Sequence, residues 1–173
     1  MTTASTVIYD LPIPMPSTTA QAGFAELYER HYEAVFRAAL RVTGNPADAE
    51  DVLQTVFLRV LAQREGAADL ALPAAYFRRA AVNAAVDVLR RRELRAESDY
   101  EDGEHAVHPP LLLKERLRRA VAVLDGDDAS LFLLRYVEGF SNEELAGMFQ
   151  IEKNNVAVRL HRIRQKLQAE LER

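Results

Sequence analysis

Two asparagines followed by a spread of basic side chains mark the end of the chain: Lys153, Asn154, Asn155, Val158, Arg159, Arg162, Arg164 and Lys166. An asparagine amide can bond an adenine edge at two points, and arginine or lysine can hold a phosphate, so this set is suited to reading nucleic acid. A helix is needed to space these residues. Val156, Leu160 and Ile163 recur with the helical period and face inward, turning Lys153, Arg159, Arg162, Arg164 and Lys166 toward solvent. Just upstream, Ser141-Asn142-Glu143-Glu144 is a capping box that opens a short helix carrying Leu145, Ala146 and Phe149. A short helix, a tight turn at Gln150–Glu152 and a basic second helix make a helix-turn-helix, the geometry that seats one helix in a DNA major groove. A helical hairpin with a solvated charged face is the plainer alternative.

Other chemistries are poorly supplied. The chain has no cysteines, which excludes disulfides, thiolate zinc sites and a cysteine nucleophile. His31, His105, His108 and His161 have no metal-ligand spacing, and His31 falls on an apolar helix face where a packed ring is expected. Glu143-Glu144 and Asp127-Asp128 read as cap and turn residues, not as a hydrolytic pair. Without a glycine-rich phosphate loop either, no metal and no cofactor is expected. No apolar run approaches the roughly 18 residues that span a bilayer. Met1–Ala22 lacks the basic start and apolar core of a secretory signal, so a cytoplasmic protein with no membrane insertion of its own is expected.

The elements that must position the basic helix are all helical. Residues 1–22, rich in Thr, Ser and Pro, read as a disordered arm. Phe24, Leu27, Tyr28, His31, Val35, Phe36 and Leu40 then share one helix face. Gly44 stops that helix, and Asn45-Pro46-Ala47-Asp48 starts a second, with Val52, Leu53, Val56, Phe57 and Val60 inward. After a loop at Arg64–Leu72, Pro73 opens a third helix running to about Arg95. The acidic stretch 96–110, with Gly103 and Pro109-Pro110, reads as a flexible linker. Two further helices, one around Leu113–Leu124 and one from Asp125–Asp128 to Gly139, precede the helix-turn-helix. The expectation is an all-α protein of two small helical domains, 23–95 and 111–173, joined by a flexible acidic linker.

Charge is segregated. The formal net charge of −4 is awkward for a protein that binds DNA alone, because non-specific affinity comes from neutralising phosphates. Yet Tyr76–Arg95 holds six arginines against Asp87 and Glu93, and Glu97–Glu104 holds five acids without a Lys or Arg. Local basic surfaces on an acidic chain suggest DNA contact made with a larger partner.

Three segments resemble a known family. Residues 45–58, NPADAEDVLQTVFL, look like the polymerase-binding helix of bacterial sigma factors of the extracytoplasmic-function group. Residues 78–92, RRAAVNAAVDVLRRR, resemble that group's promoter-reading helix, and LLRYVEGFS at 133–141 resembles its second DNA-binding domain. Order and spacing match from about Phe24 to Leu171. The resemblance implies a subunit, not an enzyme, that joins core RNA polymerase, recognises two promoter elements and helps open the duplex, often under an anti-sigma factor. It implies that Asp48, Asp51, Gln54, Thr55 and Leu58 meet the largest polymerase subunits. It assigns Arg78, Arg79, Asn83, Val86, Arg90 and Arg91 to the minus-10 element. The loop carrying Arg64, Glu65, Gly66 and Asp69 would receive a base turned out of the stack. Lys153, Asn154, Asn155, Val158, Arg159, Arg162, Arg164 and Lys166 would meet the minus-35 element.

Some positions depart from the family pattern. The loop has no aromatic residue, and Tyr76 stands where many relatives carry Trp. Gln150 replaces the usual turn Gly, Glu152 the usual capping Ser, and Ala157 a frequent basic residue. An unusual promoter sequence or weaker upstream contact is expected. Two other readings fit the residues: an adaptor that binds polymerase or a regulator without opening promoters, and a stand-alone helix-turn-helix regulator.

Overall fold

The computed structural model describes residues 18–63, 72–98 and 109–172. These form seven helices and no strand: α1 (Thr18–Thr43), α2 (Pro46–Gln63), α3 (Ala74–Ser98), α4 (Pro109–Val123), α5 (Gly126–Tyr136), α6 (Asn142–Phe149) and α7 (Lys153–Leu171). The α1–α2 corner follows the residues that predict it. Gly44 takes φ +67° and its N–H closes onto Leu40 O at 2.8 Å, while Asn45 Oδ1 accepts the Ala47 N–H at 2.8 Å. The left-handed φ favours glycine there, and a Cβ would also push the Arg118 guanidinium aside.

Three boundaries differ from expectation. Helix α1 begins at Thr18, inside the stretch read as an arm, because beyond Pro16 nothing breaks the helix and Ala20-Gln21-Ala22 favours it. Helix α3 runs on to Ser98. The Pro109-Pro110 pair opens α4 rather than ending a linker, as proline's fixed φ and missing N–H suit a first turn.

Helices α1, α2 and α3 pack on one another around Val35, Val52, Val56, Phe77 and Val82, and α4 to α7 close around Leu131, Leu134, Leu145, Val156 and Ile163. The units are in contact: α3 lies against α4 and α5, and the buried cluster continues from one unit into the other. The seam retains a cleft of about 360 Å³ between Leu40, Val42 and Leu89 on one side and Leu117, Val121 and Phe132 on the other.

His31 is buried and stacks on Phe77 with ring centroids 4.2 Å apart. Burial lowers its pKa below the ordinary imidazole value, and the neighbouring Arg30 charge pushes the same way. The folded chain therefore holds the neutral ring, while the unfolded chain takes up the proton more readily. This contribution is complete above about pH 6.5 and is lost as pH falls below it. In urea titrations between about pH 7 and pH 5, the native chain should lose more stability than His31→Leu does over the same range.

Candidate nucleic-acid and partner interfaces

The helix-turn-helix is built as the sequence indicates. Ser141 Oγ accepts the Glu144 N–H at 3.2 Å and Glu144 Oε2 accepts the Ser141 N–H at 2.8 Å; these bonds to Ser141 hold the Glu144 carboxyl below its usual range. The turn forces Gln150 into the left-handed region, φ 54° and ψ 43°, with Ile151 N–H reaching back to Ala146 O at 3.1 Å. Glu152 precedes α7 and makes no side-chain capping bond. On α7, Val156, Leu160, Ile163 and Leu167 are buried, whereas Lys153, Asn154, Asn155, Val158, Arg162, Arg164 and Lys166 are exposed. Lys153 pairs with Glu143 of α6, which lowers the Glu143 pKa. Arg159 is only partly exposed and reaches Asp128 of α5 with Lys166.

Helix α3 carries the residues that the resemblance assigns to the minus-10 element, and in this arrangement the C-terminal helices pack over Arg79, Asn83, Val86 and Arg90. Arg78 Nε lies 2.7 Å from Glu138 Oε2, a second bond goes to Glu138 O, and the guanidinium sits 4.2 Å over the Phe140 ring. Arg79 donates to Met148 O and lies 4.6 Å over Phe149. Arg90 donates to Ala122 O at 3.4 Å and to Leu124 O. Val86 is buried, and the buried Asn83 Oδ1 accepts no hydrogen bond. Arg91 stays exposed.

Three more arginines cross the seam, one of them Arg119, whose Nε lies 3.9 Å from Glu93 Oε2. Arg41 Nη1 lies 2.6 Å from Glu138 Oε1, so the 1% exposed Glu138 side chain is held by two cations of the first unit. Arg118 Nε donates to Val42 O at 3.2 Å. The physical reason is common to the set. The last carbonyls of a helix have no partner within it and carry its negative pole. Val42, Ala122 and Met148 lie in the last turns of α1, α4 and α6, so these ends attract guanidinium groups as phosphates would.

On α2, Asp48, Asp51, Gln54, Thr55 and the 63% exposed Leu58 line one wall of a groove of about 360 Å³. Its other wall is α3, with Val88, Arg91, Arg92 and Arg95, and Arg92 Nη1 lies 3.2 Å from Asp48 Oδ2. Sequence reasoning missed Val88, Arg92 and Arg95 here. Their i, i+4 spacing (88 and 92, 91 and 95) was the available signal, but which helix they face is a tertiary fact. Arg64, Glu65, Gly66 and Asp69 lie outside the described residues. Among the described residues no cluster of three or more His, Cys, Asp or Glu could hold a metal, and no helix is long and apolar enough to cross a membrane.

Two family models match the chain: Sigma-70 region 2 over residues 27–95 and Sigma-70, region 4 over 114–167. The RNA polymerase sigma-E factor of Streptomyces avermitilis is 31% identical over 156 residues, covering 86% of this chain and 85% of the relative. The chain is a sigma factor of the extracytoplasmic-function group. Also similar is the sigma factor SigL of Mycobacterium tuberculosis, 31% identical over 147 residues, 78% of this chain and 81% of that protein. The fold is shared with RpoE of Bartonella quintana, solved with its anti-sigma factor NepR, at a TM-score of 0.50, 20% identity and coverage of 87% and 97% of the two chains. The sigma factor thus serves core RNA polymerase and promoter DNA as a transcription-initiation factor, in a family that is not enzymatic. The match to both regions accounts for the first unit, which a stand-alone helix-turn-helix regulator would leave unexplained.

The turn before the recognition helix carries removable strain. Gln150→Gly should raise stability by about 1 kcal/mol, and Glu152→Ser by up to about 1 kcal/mol through a restored cap, both read as urea midpoints at unchanged slope.

Proposed function

We propose that this sigma factor binds core polymerase through the α2–α3 groove, reads the minus-10 element with α3 and the minus-35 element with α7. In this reading 23–95 form the region 2-like domain and 111–173 the region 4-like domain; the segments 1–22 and 96–110, whose ends belong to α1, α3 and α4, precede and join them. The loop with Arg64, Glu65, Gly66 and Asp69 receives the turned-out base. The protein performs no bond chemistry, acts in the cytoplasm and is restrained by an anti-sigma factor, as the Bartonella relative's complex with one suggests.

The observation that carries this reading is the use of Arg78, Arg79 and Arg90. Each is bound to a carbonyl or carboxylate of the C-terminal unit, so the same donors cannot hold phosphates until the units part. The arrangement described here is then the resting form, and engagement of polymerase and promoter exchanges helix ends for DNA. Asn83 supports this: an amide oxygen buried without a partner is unusual, and it lies on the stripe assigned to base contact.

Two variants test the reading. Asp51→Arg reverses a charge on the polymerase wall, and should abolish core binding and run-off transcription with an unchanged thermal melt; normal core binding would move the interface elsewhere. Glu138→Gln removes the charge that Arg41 and Arg78 share. Because the chain has no cysteines, dyes at Glu50→Cys and Gln165→Cys, both exposed, report the separation of the units. Transfer efficiency should fall in the Glu138→Gln protein, and unchanged transfer would show that this pair does not hold the units together.

A further inference from the structure

Asp128 stands in the first turn of α5 but does not serve that helix end. Asp125 already supplies the cap, its Oδ1 accepting the Asp127 N–H at 3.0 Å. The Asp128 carboxylate turns instead to α7, where Oδ1 accepts from Arg159 Nε at 2.6 Å and Oδ2 from Lys166 Nζ at 3.2 Å. The two cations are seven residues apart, two helical turns, so one edge of α7 presents both. At 12% side-chain exposure an ionised carboxylate needs such pairing. Burial pushes the Asp128 carboxyl up, but the hydrogen bonds and charges of Arg159 and Lys166 outweigh it and leave the group below its ordinary range.

The atom that Asp128 engages matters. A guanidinium is a rigid planar fork, and a carboxylate on Nε fixes its plane while the two Nη groups make no protein bond among the described residues. Arg159 keeps 33% of its side chain exposed, on the same side of α7 as Asn155 and Arg162, which are exposed. Two free, co-planar donors are what a bidentate contact to guanine O6 and N7 requires. An arginine held in place beforehand also has less rotamer freedom to lose on binding.

We infer that Asp128 is a positioning residue for promoter readout, orienting Arg159 toward a guanine of the upstream element. The inference rests on α7 reading that element. It differs from a purely structural ion pair in one respect: losing the carboxylate should change which base is chosen, not merely how tightly all sequences bind.

The test selects bound fragments from a duplex library randomised across the promoter, using the full chain with core polymerase. Wild type, Asp128→Asn, Asp128→Glu, Arg159→Ala, Lys166→Ala and the Asp128→Asn, Arg159→Ala double variant are compared. Arg159→Ala should lose a guanine preference at one upstream position. Asp128→Asn should weaken that same preference by about tenfold, leaving other positions unchanged. Asp128→Glu, which keeps the charge, should retain at least part of it, and carries the test if the Asn variant fails to fold. In the Arg159→Ala background the Asp128→Asn change should add nothing. Lys166→Ala should weaken all sequences alike. If Asp128→Asn keeps a guanine preference that Arg159→Ala loses, or weakens every sequence equally in both backgrounds, the positioning role is overturned. If Arg159→Ala leaves the whole profile intact, the assignment of Arg159 to upstream readout fails first.

Discussion

A carboxylate with almost no contact with water cannot stand alone, and Glu138 is such a group. Its two oxygens are met by Arg41 of α1 and Arg78 of α3, at 2.6 and 2.7 Å. Removing one partner from a buried ion pair is far more damaging than the pair is stabilising, so the contact fixes geometry more than it adds net stability. Around it the rest of the seam is arranged: Phe140 under Arg78, Phe149 under Arg79, and the ends of α1, α4 and α6 facing guanidinium groups.

This resolves the charge problem of an acidic chain that handles DNA. Of the α3 arginines, Arg78, Arg79 and Arg90 are met within the molecule by helix carbonyls and one buried carboxylate. Such contacts are reversible in a way an apolar core is not. Phosphates offer the same arginines full negative charges where the helix ends offer partial ones. The seam thus combines an apolar cluster continuous between the units with arginine contacts to helix ends and to Glu138.

The recognition helix is held differently. Its apolar edge is locked into the second unit, but its entrance is strained at Gln150 and uncapped at Glu152. Side-chain pairs add to that packing, Lys153 to Glu143 on one flank and Arg159 with Lys166 to Asp128 on the other. Residues that sequence places in one DNA-contacting set are thus divided among free groups, tethered groups and groups shared with the scaffold.

Much of the architecture was legible in the chain itself, because it is dictated by short-range rules. The period of apolar residues gave the helices, Gly44 and Gly139 their ends, and Ser141 with Glu144 a capping box that forms as written. The strain at Gln150 and the missing cap at Glu152 were equally readable, since both depend only on local backbone geometry. Where a proline pair would fall was not, because Pro109-Pro110 suits a loop and a first helical turn equally well. The partner of each arginine lay further out of reach. Arg78 and Glu138 are 60 residues apart, and Asp128 and Arg159 are 31 apart. Sequence determined that α3 carries cations on one stripe; only the packing of one unit on the other decided that helix ends and a buried carboxylate meet them. Periodicity is a property of neighbours along the chain, whereas the pairing of distant charges depends on which surfaces burial brings together.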